Sequence, residues 1–164
     1  MDHLWTPWRS TYITSSRKES GCIFCNAATS VDDESNLVVE RGEHCFVILN
    51  RFPYTSGHLM IAPYAHISRL NDATQESIDE MMRLLRRAET ALEQAYRSEG
   101  INLGMNLGRA AGAGIAEHIH MHMLPRWTGD ANFMTSVANT RVIPESLDQT
   151  YAKLRQGFGN VKPA

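Results

Sequence analysis

One long helical pattern, set between two groups of short strand-like runs, constrains the fold most. From about Thr74 to Arg97, residues Ile78, Met81, Met82, Leu85, Ala88, Leu92, Ala95 and Tyr96 recur at three-to-four spacing and form one apolar stripe. Asp72 is placed to cap its start, Gln75 three residues on completes a capping box, and Gly100 closes its far end. Before the helix come Asn36 to Glu40 and Cys45 to Asn50, joined as a hairpin by the turn-rich residues 41–44. His58 to Ala62 follows a loop, Arg51 to Gly57, and is ended by Pro63. After the helix come Ile101 to Asn106 and His118 to Leu124, the latter stopped by Pro125, and Pro144 to Gln156 reads as a short C-terminal helix. Strands that follow one another as neighbours pair antiparallel, which favours an α+β fold over a doubly wound one. The expectation is a five-stranded, mostly antiparallel sheet with one long and one short helix. At 164 residues the chain fits a single domain, with residues 1–20 an extended arm carrying Trp5, Trp8 and Tyr12. Residues 21–127 are then the core and 128–164 a C-terminal extension.

Charge and cysteine usage narrow the functional classes. A net charge of -2 argues against broad attraction to a nucleic-acid backbone or an anionic membrane, while leaving room for a small nucleotide. The N-terminal residues lack the apolar run of a signal peptide and no later stretch approaches a membrane span, so the cytoplasm is the expected compartment. Three cysteines, Cys22, Cys25 and Cys45, are too few and odd in number for a disulfide framework. The close pair reads as metal ligands or reactive thiols.

His118-Ile119-His120-Met121-His122-Met123-Leu124 carries the chemistry. Side chains alternate faces along a strand, so the three histidines point one way and Ile119, Met121 and Met123 the other. Three imidazoles on one face form either a metal-binding cluster or a reactive array. With an ordinary pKa of about 6.5, imidazole serves as unprotonated nucleophile and as proton donor in one pH range. Upstream, the glycines and alanines between Asn106 and Gly114 let backbone N–H groups approach a phosphate and supply neutral donors for its oxygens.

His118 to Leu124 resembles the H-φ-H-φ-H-φ-φ signature of the histidine-triad family. Phe46 to Asn50, Gly57 to Pro63, the long helix, and Asn106 to Pro125 follow in that family's order, so the resemblance spans about residues 20 to 127. Leu4-Trp5-Thr6-Pro7-Trp8-Arg9, Tyr54, Pro125-Arg126-Trp127 and Gly129-Asp130-Ala131-Asn132-Phe133 are similar to the branch of diadenosine tetraphosphate phosphorylases. The resemblance implies that His120 attacks the α-phosphorus and that His122 contacts the α-phosphate and bridging oxygen and helps the leaving group depart. Asn106 resembles the asparagine near the α-phosphate, and Asn50 the residue that binds ribose hydroxyls. Phe46 and Ile48 would flank the base, and the backbone at Gly112, Gly114 and Ile115 would donate to phosphate. Gly114 departs from the family, which often carries Ser or Gln there; glycine offers only its N–H. The implied activity is cleavage of adenine nucleotides such as diadenosine tetraphosphate through a nucleotidyl-histidine. An AMP-phosphoramidase and a nucleotide-binding module with little turnover are the alternatives. A homodimer, its sheet continuing across the interface, is implied as well.

Cys22-Ile23-Phe24-Cys25 is a C-x2-C knuckle without the βαβ pattern of a thioredoxin-like redox motif. Tetrahedral zinc needs two further ligands. Zinc-containing members of the family resemble this chain in pairing such a knuckle with a histidine after the third strand and with the first triad histidine. The implied ligands are Cys22, Cys25, His66 and His118, a closed structural site that would fix His118 and so aim His120. Elsewhere, His58 reads as a structural hydrogen-bonding residue, His44 as exposed, and Cys45 as a small core hydrophobe. Arg83, Arg86 and Arg87 read as a solvated helix face, and Arg126 as divided between phosphate contact and structure.

Overall fold

The computed structural model describes residues 21–131, 133–138 and 143–161. The N-terminal arm with Trp5, Trp8 and Tyr12 lies outside the described residues. Helix α1 (Ile23–Thr29) leads into strands β1 (Val38–Arg41), β2 (Cys45–Leu49) and β3 (Leu59–Pro63). Helix α2 (Gln75–Tyr96) follows, then β4 (Gly100–Met105), β5 (Met121–Arg126), α3 (Phe133–Ala138) and α4 (Leu147–Asn160). The strands form one sheet in the order β1-β2-β3-β5-β4, and every pairing is antiparallel. The α+β architecture and its five strands are as the patterning implied, with two short helices, α1 and α3, added. At seven and six residues these are too short to show a period.

All five residues of β2 and of β3 are buried, the signature of strands covered on both faces. Cys45 faces α2, where its thiol bonds the Ser77 carbonyl at 3.3 Å, and burial beside Glu80 pushes the thiol pKa up to about 12. It is an inert core group. Phe46, on the opposite face, stacks on Tyr64 with ring centroids 5.3 Å apart.

Helix α2 buries a stripe of Met81, Leu84, Leu85, Ala88, Ala91 and Leu92. Met82, placed in that stripe from sequence, is 52% exposed; one residue on from Met81 is about 100° round the helix, so Leu84 and Ala91 take its place. The N-cap is Thr74, whose side chain accepts from the Ser77 N–H at 3.2 Å, while Asp72 closes a 3₁₀ turn, Leu70–Asp72. Arg97 ends the helix in the left-handed conformation at φ 50°, and Gly100 instead begins β4. Arg87 is not solvated: it bonds the Glu40 carboxylate at 2.7 Å and the Phe158 carbonyl at 3.3 Å, joining α2 to β1 and α4. Helix α4 starts later than expected because Ser146 and Gln149 form a reciprocal capping box.

Glu80 locks α2 to the β1–β2 turn. Its carboxylate accepts the backbone N–H groups of Glu43, His44 and Cys45 at 3.0, 2.5 and 2.7 Å. Gly42 permits this approach, since a Cβ there would sit 2.6 Å from the Glu80 carboxyl carbon. Burial raises the Glu80 pKa, but the three amides and Arg83 outweigh it and hold the pKa below 4.5. A depressed folded pKa contributes stability in full above the unfolded value and loses it as pH falls through the folded one. Glu80→Gln should therefore cost about 2–3 kcal/mol at pH 7, with the cost shrinking below pH 4.5, as measured by urea unfolding across that range.

Candidate active site and metal centre

The strand bearing the histidines begins at Met121, three residues later than the sequence implied, and runs through Pro125 to Arg126. Its ladder with β3 starts only at Ile61–Met121 and ends at Leu59–Met123, so the missing N–H of Pro125 falls where β3 has ended. His118 and His120 precede the ladder. The rings nevertheless gather on one side. Phe24 of α1 packs against both His118 and His120, at 5.1 and 4.7 Å between centroids, and His120 lies 4.8 Å from His122.

Hydrogen bonds fix which nitrogen of each ring carries a proton. His120 Nδ1 lies 2.8 Å from the His118 carbonyl, which can only accept, so Nδ1 is protonated and Nε2 keeps the lone pair. The Tyr54 backbone N–H donates to His58 Nδ1 at 3.2 Å, which leaves the His58 proton on Nε2. That proton is donated to His122 Nδ1 at 2.9 Å, so His122 carries its own proton on Nε2. Burial lowers the His120 pKa, opposed by the His118 carbonyl, and burial together with nearby His120 pushes His122 down to about 4. Two neutral imidazoles therefore stand side by side, one with a free lone pair and one with an N–H donor. That is the pairing a nucleophile and its leaving-group donor require.

The register brings Phe46 and Ile48 to the face of His122. Phe46 is opposite Ala62, Ile48 opposite Met60, and Met60 opposite His122. Phe46 is fully enclosed and Ile48 6% exposed. The Asn50 amide N–H bonds the His58 carbonyl at 3.0 Å, and its side-chain oxygen accepts from Phe52. Asn106 lies two residues beyond Gly104, the partner of His122 on β4. From there the small-residue loop turns through Gly108 and Gly112, both at positive φ, and a Cβ at Gly112 would sit 3.9 Å from the Asn106 side-chain amide. A Cβ at Gly114 would meet nothing within 4 Å, and Ile115 packs on the core.

Cys22, Cys25, His66 and His118 converge, with their ligand atoms all within 4.8 Å of one another. The pair Cys22 and Cys25 opens α1, one helical turn apart. His118 donates its Nε2 proton to the Pro63 carbonyl at 2.9 Å and turns its Nδ1 lone pair to the sulfurs, 3.4 Å from Cys22 and 3.7 Å from Cys25. His66 Nδ1 lies 3.2 Å from Cys25. Zinc bond lengths in a tetrahedron place sulfur and nitrogen ligands about 3.5 Å apart, so this donor set fits the ion in kind and spacing. Arg41 holds the knuckle in place by bonding the Ala27, Ala28 and Ser30 carbonyls at the end of α1.

A HIT domain model matches residues 32–129. The chain belongs to the HIT family. It is 38% identical to the AP-4-A phosphorylase of Mycobacterium tuberculosis, over 92% of this chain and 80% of that one. It is 24% identical to the bis(5'-adenosyl)-triphosphatase of Dictyostelium discoideum, over 74% of this chain and 80% of that one. Among solved structures, a Zn-bound histidine triad family protein from Mycobacterium smegmatis superposes with a TM-score of 0.68 at 26% identity, covering 85% of this chain and 94% of that one.

Within this HIT chain, the sequence had marked His58 as a hydrogen-bonding residue but not its partner, His122. Tyr54 and Phe24 were missed as members of the site. The Tyr54 ring lies 4.7 Å from His58 and 6.2 Å from His122. Phe24 stands between the two cysteines, and nothing in a four-residue knuckle announces that its aromatic ring will pack on a histidine ninety-six positions away.

Proposed function

We propose that this chain cleaves dinucleoside polyphosphates, diadenosine tetraphosphate among them, at the α-phosphorus through a nucleotidyl-His120 intermediate. The observation that carries the reading is the fixed pair of tautomers: a lone pair on His120 Nε2 beside a proton on His122 Nε2. His120 Nε2 bonds to the α-phosphorus as the bond to the bridging oxygen breaks. The positive charge left on His120 is shared, through Nδ1–H, with the His118 carbonyl. His122 donates a hydrogen bond to the departing oxygen, and the leaving nucleotide departs as an anion. An oxygen of phosphate, or of water that gives up a proton to solvent, then bonds to the phosphorus as the P–N bond breaks and its electron pair returns to His120. The relatives named for AP-4-A phosphorylase and bis(5'-adenosyl)-triphosphatase activity support this substrate class. In this reading Asn106 and the backbone of Gly112, Gly114 and Ile115 would hold the α-phosphate, and Asn50 and Ile48 the nucleoside, with the fully enclosed Phe46 behind them.

Cys22, Cys25, His66 and His118 would hold a structural zinc, a reading supported by their convergence and by the Zn-bound relative. When bound, the ion cross-links α1, the loop after β3 and His118, and takes no part in bond making. A homodimer is supported by β4, which among the described residues pairs only with β5 and leaves Leu103 53% exposed. No helix of the described residues is long and apolar enough to cross a membrane. A thiolate metal site suits a reducing compartment, and we place the chain in the cytoplasm.

Product analysis with diadenosine tetraphosphate, with and without inorganic phosphate, tests the reading. ADP plus ATP appearing only with phosphate marks phosphorolysis; AMP plus ATP in both conditions marks hydrolysis. Failure to cleave the dinucleotide under either condition would remove this substrate.

A further inference from the structure

The geometry points to a second nucleoside subsite, built from the β2–β3 loop and the C-terminal extension, that receives the nucleoside of the leaving nucleotide. This rests on the reaction proposed above. The His122 Nε2 proton marks the side of the phosphorus from which the leaving group departs. Along β5, residues 122, 124 and 126 share a face, so Leu124 and Arg126 lie roughly 7 and 13 Å beyond His122. Both line a cavity of about 800 Å³. Its near wall is Tyr54, the residue whose ring also stands against His122. That volume lies within the ~300–1,000 Å³ of sites that take small molecules.

A second observation points to a ligand. Ser56 is 6% exposed, and among the described residues its hydroxyl has no hydrogen-bond partner. It lines this cavity and also an adjoining one of about 440 Å³ that reaches Asn50 and His58. A buried hydroxyl left unpaired costs about 1–3 kcal/mol, which a bound ribose or base offsets by completing its bonding.

The charges decide which part of the ligand sits there. Arg126 is engaged with Asp130 and with the Asn102 side chain, and Lys153 with Glu145. Each cation in the cavity is thus neutralised, which is poor for a polyphosphate but suits a nucleoside with an aromatic base and hydroxyls. Tyr54 and Trp127 offer the base its aromatic surface. The phosphates then span the stretch between His122 and Leu124, so the bridge must be long enough for the second nucleoside to arrive. The subsite thereby favours long bridges.

The test compares diadenosine tetraphosphate with adenosine 5'-phosphoramidate, whose leaving group is too small to enter. Leu124 and Thr135 both line the cavity, and Leu124→Trp and Thr135→Trp each put an indole into it. Both should lower kcat/KM for the dinucleotide by about 10-fold or more and change it less than about 2-fold for the phosphoramidate, because only the former loses pocket contacts. Inhibition by ATP should weaken in parallel, and inhibition by AMP should not. Ser56→Ala should leave Tm unchanged or higher while lowering dinucleotide kcat/KM by roughly 3- to 10-fold. Equal losses on both substrates, or undiminished dinucleotide turnover in all three variants, would overturn the subsite. Wild-type protein that cleaves neither substrate is a separate result, and it would remove the reaction and the subsite together.

Discussion

His120→Ala is expected to lower kcat/KM for diadenosine tetraphosphate by at least about 10⁴-fold while leaving the fold intact. The size follows from the chemistry. A covalent route exists only if a lone pair meets the α-phosphorus, and the His118 carbonyl has already claimed the other ring nitrogen of His120. Neither His118 nor His122 can substitute. The free nitrogen of His118 faces the two sulfurs, and the Nδ1 lone pair of His122 receives the His58 proton. The variant should keep nucleotide binding, measured by calorimetry with a non-hydrolysable analogue, and keep the wild-type Tm within about 3 °C. Turnover reduced by less than tenfold would contradict the nucleophilic role.

Removing the proposed zinc is the second large perturbation. The four side chains proposed to hold it come from the start of α1, the loop after β3 and the segment just ahead of β5, so a bound ion would close a loop of nearly a hundred residues. Chelation, or Cys25→Ser, should cost more than about 4 kcal/mol, which for a chain of this size lowers Tm by roughly 8–16 °C. Elemental analysis should give one zinc per chain in the wild type and none in the variant. The loss should also reach the nucleophile, because Phe24 and the His118 carbonyl both act on His120 from residues the ion would hold. In the NMR spectrum, the His120 ring protons should move on chelation even with no substrate present. A chelated protein with unchanged Tm and His120 resonances would show that the knuckle is not a metal centre.

What was legible in the sequence was what repeats or alternates. The stripe of α2 and the apolar runs of β2 and β3 each announced their element locally, while the alternating histidines marked the strand but put its start three residues too early. The α1 and α3 helices gave no such signal, being shorter than the windows in which a helical period shows. The clamp of Glu80 on the β1–β2 turn and the links from Arg87 to Glu40 and from Arg41 to α1 were also hidden, since each joins residues with no local relation. Arg87 looked solvated because its helix position lies beside the apolar stripe, and only the arrival of α4 encloses it. In the site, the three histidines and the Cys22–Cys25 knuckle could be picked out from residue type and spacing, whereas His66 and His118 as the further proposed zinc ligands followed only from the family resemblance. The tautomers could not be picked out, because they depend on the carbonyl and amide groups that the fold presents to each ring. The Tyr54 amide orients His58, and through it His122, across sixty-four residues of sequence.

The most direct measurement is rapid quenching of the enzyme during turnover of α-labelled diadenosine tetraphosphate, followed by peptide mapping of the trapped protein. The account predicts acid-labile label on a single peptide, carried as an adenylyl group on His120. Label on another residue, or no label under conditions where ATP is released in a burst, would contradict it.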